Sequence, residues 1–227
     1  IYTNNNSDIL YTGTPFFGYA GLWTGYKQGH NGFSLQGDTR HGINESIVDN
    51  IVAIHDDYWP SGWLIRDTLM NQGTFDEALQ RLNNTKIMAP VYYIMGGAQY
   101  PEGAVISRDQ EHSYNLWMLK DSYLGWYQVE TNYGMVMYML YDMYNLFCVC
   151  YINILIMKDW WTPAPTWDDR RDHAIASMNE MGQANLNQMN LFNVMSKYPV
   201  MDLGTIYTVI MSASNQSVFY IRVRYHE

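Results

Sequence analysis

Basic charge and cysteine are both scarce in this chain. Lys and Arg together number 13 against 22 Asp and Glu, and no run of basic residues occurs. That excludes a surface built to track a phosphate backbone, and with it a nucleic-acid partner. Only two cysteines are present, Cys148 and Cys150. One residue apart, they are poorly placed to bond each other, and no zinc-type spacing exists anywhere. The histidines, His30, His41, His55, His112, His173 and His226, show neither metal spacing nor a Ser/Asp triad pattern. They read as surface or loop residues, so neither a metal nor another cofactor is expected. Charged residues of both signs make up just 15% of the chain, whereas hydrophobic residues make up 48%. A chain with that balance buries a real core, which excludes disorder.

The excess of acid leaves a formal net charge of −9 at pH 7. Much of it is lost below pH 5 as carboxylates protonate, which suits an acidic compartment. Aromatics stand at 15%, with 20 Tyr and 8 Trp. Such rings offer large flat area with a polar tip, as apolar ligand pockets, interfaces and β-rich cores all require. Asn-x-Ser/Thr acceptors at Asn5, Asn44, Asn83 and Asn215 support passage through the secretory pathway. The opening Ile1-Tyr2-Thr3 reads as the middle of a strand, so the sequence is expected to be truncated, and nothing is drawn from the missing signal peptide. Its length suits one domain over 1–227.

The first third, with turn signals at Gly13, Gly18, Gly21 and Gly25, reads as short strands. Residues 63–72 turn helical, with Leu64, Ile65, Thr68 and Leu69 on one face. A second helix follows: Thr74 caps it, Glu77 completes a capping box, and Phe75, Ala78, Leu79 and Leu82 form its apolar stripe. Strands are predicted at Val91–Met95, Val105–Ser107, Leu116–Leu119 and Trp126–Asn132. Helices follow from Asp168-Asp169 to Met181 and over Gln188–Ser196, then strands at Thr205–Ser212 and Val218–Val223. The order fits an α+β fold of antiparallel sheets layered with helices.

Gly134–Lys158 departs from this pattern. It has two charges in 25 residues and holds both cysteines. It is long enough to span a bilayer, but Asp142, Asn145 and Asn153 would be costly in lipid. Its composition favours AT-rich codons, and its ends accommodate a splice donor at Gly134-Met135-Val136 and an acceptor across Lys158-Asp159. We read 134–158 as a translated intron or, if translated in the mature protein, a looped-out insertion. Removal joins Tyr133 to an Asp codon, giving ETNY-DWWTPAP.

With that segment excised, a set of ordered motifs remains: FFGYAGLWTG at 16–25, GWLIRDTL at 62–69, VYYIMGG at 91–97, EGAVISRD at 102–109, ETNY at 130–133, DDRR at 168–171, GQANL at 182–186 and IYTVIMSA at 206–213. Together they resemble the larger, C-terminal β-subunit of the N-acylethanolamine-hydrolysing acid amidase and acid ceramidase family, and the Leu22-Trp23 pair resembles the amidase branch. The resemblance implies an N-terminal-nucleophile hydrolase, an αββα sandwich of two antiparallel sheets flanked by helices. It implies lysosomal-type hydrolysis of lipid amides, N-acylethanolamines before ceramide, by an amino-terminal cysteine whose own α-amine acts as base. The implied partners are a lipid amide substrate, an α-subunit cut from the same precursor, and transient contact with a membrane surface. The lysosome or secretory pathway is the implied location.

By the same resemblance, Asn132 donates to the oxyanion of the tetrahedral intermediate, and Arg170 supports the charge state of the nucleophile. Asp168 and Asp169 would cap the helix and orient that arginine, while Arg171 carries no assigned role. Trp23 and Tyr19, with Phe16 and Phe17, would line an acyl-chain pocket. On spacing alone, Asn132 is equally readable as a strand-end residue satisfying local backbone, and Phe16 and Phe17 as core residues. Two departures stand out. The amidase branch has Gly-Asp-Glu-Arg, whereas residues 37–40 read Gly-Asp-Thr-Arg, so Thr39 replaces the family glutamate and is expected to weaken the reaction. The nucleophilic cysteine, and the Arg and Asp that follow it in the family, have no match here. As written the chain does not perform the reaction alone, and the alternative reading is a non-catalytic lipid-amide-binding pseudoenzyme.

Overall fold

The computed structural model describes residues 1–4, 6–39, 47–131, 169–215 and 217–224. The segment 134–158 lies outside them, and so does its expected looping out. Among the described residues, seven antiparallel strands, paired in sequence order, form the main sheet: β1 (Tyr2–Thr3), β2 (Ile9–Thr14), β3 (Thr24–Lys27), β4 (Phe33–Thr39), β5 (Val91–Gly97), β6 (Gly103–Arg108) and β7 (Ser113–Met118). A second sheet pairs β8 (Tyr207–Met211) with β9 (Phe219–Val223), also antiparallel.

Strand parity decides which side chains meet the helices. Phe33 and Leu35 of β4 and Val91, Tyr93 and Met95 of β5 share one core with Leu64, Ile65 and Leu69 of α2 (Ser61–Asn71) and with Phe75, Ala78, Leu79 and Leu82 of α3 (Phe75–Asn84). Leu64, Ile65 and Leu69 are wholly buried, and each such side chain contributes about 1.5–3 kcal/mol. Glycine allows α2 to lie this close: a Cβ on Gly25 would stand 2.7 Å from Leu69 Cδ1, and one on Gly37 2.7 Å from Ile65 Cδ1. The start of α3 is as the sequence predicts, with Thr74 accepting from Glu77 N at 3.2 Å. The Glu77 carboxylate takes the Gly73 N–H at 2.7 Å, one residue before the cap. Arg108, at the end of β6, is wholly buried and donates to the carbonyls of Leu82, Thr85 and His112.

The opposite parity faces the second sheet. Tyr26 packs with Tyr207, Val209 and Met211 and stacks on Phe219 with centroids 5.4 Å apart. On the far side of β8 and β9, Ile210 joins Ala174 and Met178 of α4 (Arg170–Met181) and Leu191, Phe192 and Val194 of α5 (Gln188–Val194). The layers run helix, sheet, sheet, helix: an αββα sandwich.

Two elements differ from the sequence expectation. Helix α1 (Ile47–His55) was not foreseen; it is rich in β-branched residues, and only Ala53 among its residues is buried. The predicted strand at Trp126–Asn132 is not a strand over 126–131. Side chains fix this buried run: Ser122 Oγ donates to Tyr127 O at 2.8 Å, Tyr127 OH to Asn179 Oδ1 at 2.8 Å, and Gln128 Nε2 to Trp117 O at 3.0 Å. Among the described residues, no helix is long and apolar enough to cross a membrane.

Candidate active site

Polar side chains gather where the two sheets meet. Gln36 and Asp38 project from β4 toward the second sheet, and Tyr92 lies opposite Asp38 in the β4–β5 register. Thr24 Oγ1 and Tyr207 OH, one from each sheet, are hydrogen-bonded at 3.0 Å. Gln36 Nε2 and Gln128 Oε1 are buried without a hydrogen-bond partner among the described residues. Such an arrangement costs stability in a plain core and marks a polar gap.

Glu130, 5% exposed, feels the Asp38 charge, and Thr131 beside it is 3% exposed, whereas Tyr127 and Val129 pack toward α4 and α5. Arg171, in the first turn of α4, donates from Nη2 to Thr131 Oγ1 at 3.0 Å. The same nitrogen stands 3.7 Å from Glu130 Oε1, an ion-pair distance but not a hydrogen bond. Burial pushes the Glu130 carboxyl up to about 8; Arg171 opposes the rise and Asp38 adds to it. Burial also raises the Tyr207 phenol, against the hydrogen bond from Thr24. Arg170 turns the other way. It is 7% exposed and donates from Nη1 to Asp202 Oδ2 at 3.2 Å. Asp202 is fixed in turn by the N–H of Gly204, 2.8 Å from Oδ1. The site thus holds carboxyls withdrawn from water, the Arg171 guanidinium and a phenol. That combination can stabilise a developing negative charge and can keep a carboxyl protonated in mild acid.

Of the residues singled out from sequence, Arg170 lies at the start of α4, next to Arg171 and paired with Asp202. Thr39 is the last residue of β4, next to Asp38 and opposite Val91. Asn132 and Asp168 lie outside the described residues, as do the acceptors Asn5 and Asn44. Asp169 makes no side-chain cap; its carboxylate instead meets His173 Nε2 at 3.0 Å. Arg170 is paired with Asp202, which sequence reading did not single out. Tyr19 and Trp23 stack with centroids 6.4 Å apart, but on the α2 side of the sheet, with Trp23 over Gly37 and Tyr19 over Gly62. The described residues do not bring them to the acidic gap. Phe16 does face the second sheet, 5.7 Å from the Tyr207 ring, while Phe17 is fully exposed. A shallow open groove of about 610 Å³ runs along Pro15–Ala20. Asn83 sits half-buried in the last turn of α3, whereas Asn215 is exposed in the β8–β9 turn, where its Oδ1 accepts from Ser217 Oγ at 2.8 Å. Among the described residues, no group of His, Cys, Asp and Glu is placed to hold a metal ion.

No family model matches the sequence. The N-acylethanolamine-hydrolyzing acid amidase of Mus musculus is 38% identical over 219 residues, 96% of this chain and 53% of that protein. The amidase of Oryctolagus cuniculus is 38% identical over 221 residues, 96% of this chain and 53% of that protein. The acid ceramidase of Mus musculus is 32% identical over 212 residues, 92% of this chain and 47% of that protein. The solved structure of the Caenorhabditis elegans N-acylethanolamine-hydrolyzing acid amidase ortholog superposes with a TM-score of 0.74 at 25% identity, covering 99% of this chain and 86% of that one. The chain spans about half the length of the curated relatives it matches. With its αββα layers, it has the N-terminal-nucleophile hydrolase fold and belongs to the N-acylethanolamine-hydrolysing acid amidase and acid ceramidase family.

Proposed function

We propose that this chain forms the oxyanion-binding and arginine-bearing wall of a lipid amidase site that cleaves N-acylethanolamines to fatty acid and ethanolamine in an acidic compartment, the lysosome or secretory pathway. One observation carries the reading: in a chain of this family, two buried carboxylic residues, Asp38 and Glu130, and Arg171 gather around Thr131, the residue before Asn132 in the sequence. The chemistry follows from that placement. A cysteine thiolate, supplied by the α-amine-bearing residue that the family uses, attacks the amide carbonyl. The Asn132 amide donates to the oxyanion that forms and Arg170 stabilises negative charge beside it; the intermediate collapses to a thioester as the C–N bond breaks and ethanolamine leaves with the proton held by the α-amine, and water then hydrolyses the thioester, releasing the fatty acid and regenerating the thiol. An α-subunit from the same precursor completes the site. Exposed aliphatics on α1, Ile47, Val48, Ile51, Val52 and Ile54, support contact with the lipid surface from which substrate is drawn.

The test uses the full-length protein containing this chain, purified after maturation at acid pH, with release of palmitate from N-palmitoylethanolamine as readout. Asn132→Ala lowers kcat by about 10²–10³-fold, the usual loss for one oxyanion donor. An unchanged kcat in that variant removes Asn132 from the mechanism. If the full-length protein binds a labelled acylethanolamide but never turns it over, the pseudoenzyme reading, favoured by Thr39 in the glutamate position, replaces this one.

A further inference from the structure

Gln36 is the polar side chain of the inter-sheet gap that the reading above leaves unused. It is 2% exposed, and its Nε2 has no hydrogen-bond partner. Strand parity aims it at the second sheet. Leu35 on one side of it packs in the α2 core, and a Cβ on Gly37 on the other side would meet Ile65 of α2, so the residue between them points the opposite way. Thr24 lies directly across from Gln36 in the β3–β4 register. Side chains paired in this way on one face of an antiparallel sheet stand about 4.5–5.5 Å apart at Cβ. Thr24 Oγ1 is in turn hydrogen-bonded across the gap to Tyr207 OH at 3.0 Å. An amide and two hydroxyls, all buried and all neutral, thus meet between the sheets.

Donor and acceptor capacity decides what fits beside them. The Gln36 amide brings two N–H donors. The Thr24–Tyr207 pair uses one of its two O–H groups between its own oxygens, which leaves one O–H and several lone pairs. An ammonium has no lone pair with which to take the Gln36 N–H. A carboxylate accepts but donates nothing, and it would lie near Asp38, two residues along the same strand face. A neutral hydroxyl does both: it accepts from Gln36 Nε2 and donates to an oxygen of the Thr24–Tyr207 pair. We propose that Gln36, with the Thr24–Tyr207 pair, recognises the hydroxyl of the ethanolamine head group and so selects hydroxylated over plain alkyl amides. The inference rests on the proposed amidase function and names the residue that chooses its leaving group. Gln36 determines specificity and takes no part in making or breaking bonds.

The experiment compares kcat/KM of the full-length protein, matured at acid pH, on N-palmitoylethanolamine and on N-palmitoylpropylamine, in which a methyl replaces the hydroxyl. Wild type favours the ethanolamide by roughly 10–100-fold, because the propylamide leaves the buried Gln36 donors unanswered. Gln36→Met keeps the length of the side chain and removes those donors, so the preference falls to within about threefold, chiefly through loss on the ethanolamide. Tyr207→Phe keeps the ring that packs on Phe16 and removes one hydroxyl, and it lowers the preference by about threefold or more. Tm without substrate reads a merely structural role: Gln36→Met leaves it unchanged or raises it, because apolar atoms replace a buried unpaired amide. A wild type that does not discriminate overturns the proposal, as does either variant that keeps the full wild-type preference. A Gln36→Met protein with a clearly lower Tm also overturns it, because the amide would then be paired within the full-length protein. The two levels separate cleanly. If wild type hydrolyses neither amide, the amidase reading fails and takes this proposal with it; if it hydrolyses both equally well, the amidase reading stands and only the assignment of Gln36 falls.

Discussion

Arg108 is the buried charge whose removal has the most predictable consequence for the fold. It is wholly buried at the end of β6, and its head group donates to three main-chain carbonyls: Leu82 O and Thr85 O at the end of α3, and His112 O across the β6–β7 turn. Burial lowers its pKa, with Tyr93 and Asp109 opposing. Arg108→Met keeps an apolar stem of similar length and removes all three donors. The His112 carbonyl keeps the Asp109 N–H at 3.1 Å, but Leu82 O and Thr85 O lose the Arg108 donors at about 1–3 kcal/mol each, while the relieved desolvation of the guanidinium returns part of this. With the lost packing of the guanidinium added, the net loss is about 3–5 kcal/mol. At roughly 2–4 °C per kcal/mol for a domain of this size, Tm falls by roughly 6–20 °C. Arg108→Lys loses a comparable amount, because an ammonium on a flexible stem does not present the guanidinium fork to three separated carbonyls. Urea unfolding followed by tryptophan fluorescence measures the difference. If Arg108→Met unfolds within 1 kcal/mol of wild type by that assay, about the size of one ordinary hydrogen bond, the three contacts do not hold α3 to β6 and the reasoning fails.

Glu130 also makes stability depend on pH. Its folded pKa of about 8 lies above the ordinary 4.5, so its contribution is fully present below 4.5 and is lost as pH rises through about 8. Urea midpoints from pH 4 to 9 should fall more steeply in wild type than in Glu130→Gln; parallel curves would show that another group dominates. In a secretory host, Asn215→Gln removes a glycan and Asn83→Gln removes none, because Asn215 is exposed in a turn and Asn83 is half-buried in a helix; mass spectrometry after enzymatic deglycosylation in heavy-oxygen water reads both sites. Reverse-transcription sequencing of the source transcript yields ETNYDWWTPAP, with 134–158 removed, and recovery of the uninterrupted form alone would overturn the intron reading.

Local rules in the sequence reach some of this structure and stop short of the rest for identifiable reasons. The start of α3 is legible because Thr74, Gly73 and Glu77 lie within one turn of each other. The strands at 91–97 and 103–108 are legible because β-branched and aromatic residues are bounded by Gly-Gly and Pro-Glu-Gly. Helix α1 is not, since IVDNIVAIH has a strand-like composition and buries little that would mark a face. The sides of the sheet are half legible. Alternation along β4 separates Leu35 and Gly37 from Gln36 and Asp38, but only the register Thr24↔Gln36 puts Trp23 on the α2 side and away from Asp38. The pairing of Arg170 with Asp202 spans 32 residues and that of Arg171 with Thr131 spans 40. No periodicity connects such partners; they meet through the packing of α4 against both neighbouring segments.

Those two arginines share a physical problem whose solution shapes the site. Adjacent cations in the first turn of a helix face the positive end of its dipole, a placement that disfavours both. Asp169 does not relieve it, because its carboxylate is turned to His173. Relief comes from outside the helix and in opposite directions: Asp202, in the turn before β8, meets Arg170, and the 130–131 run after β7 meets Arg171. The start of α4 therefore fastens the main sheet's exit segment to the second sheet's entry segment by charge. The fastening is unequal. Arg170 meets a half-exposed carboxylate already braced by the Gly204 N–H. Arg171 meets a buried acid kept largely neutral by its surroundings, and its hydrogen bond goes to a hydroxyl. Of the two tethers, that of Arg171 is thus the one set against an acid that burial holds in its neutral form.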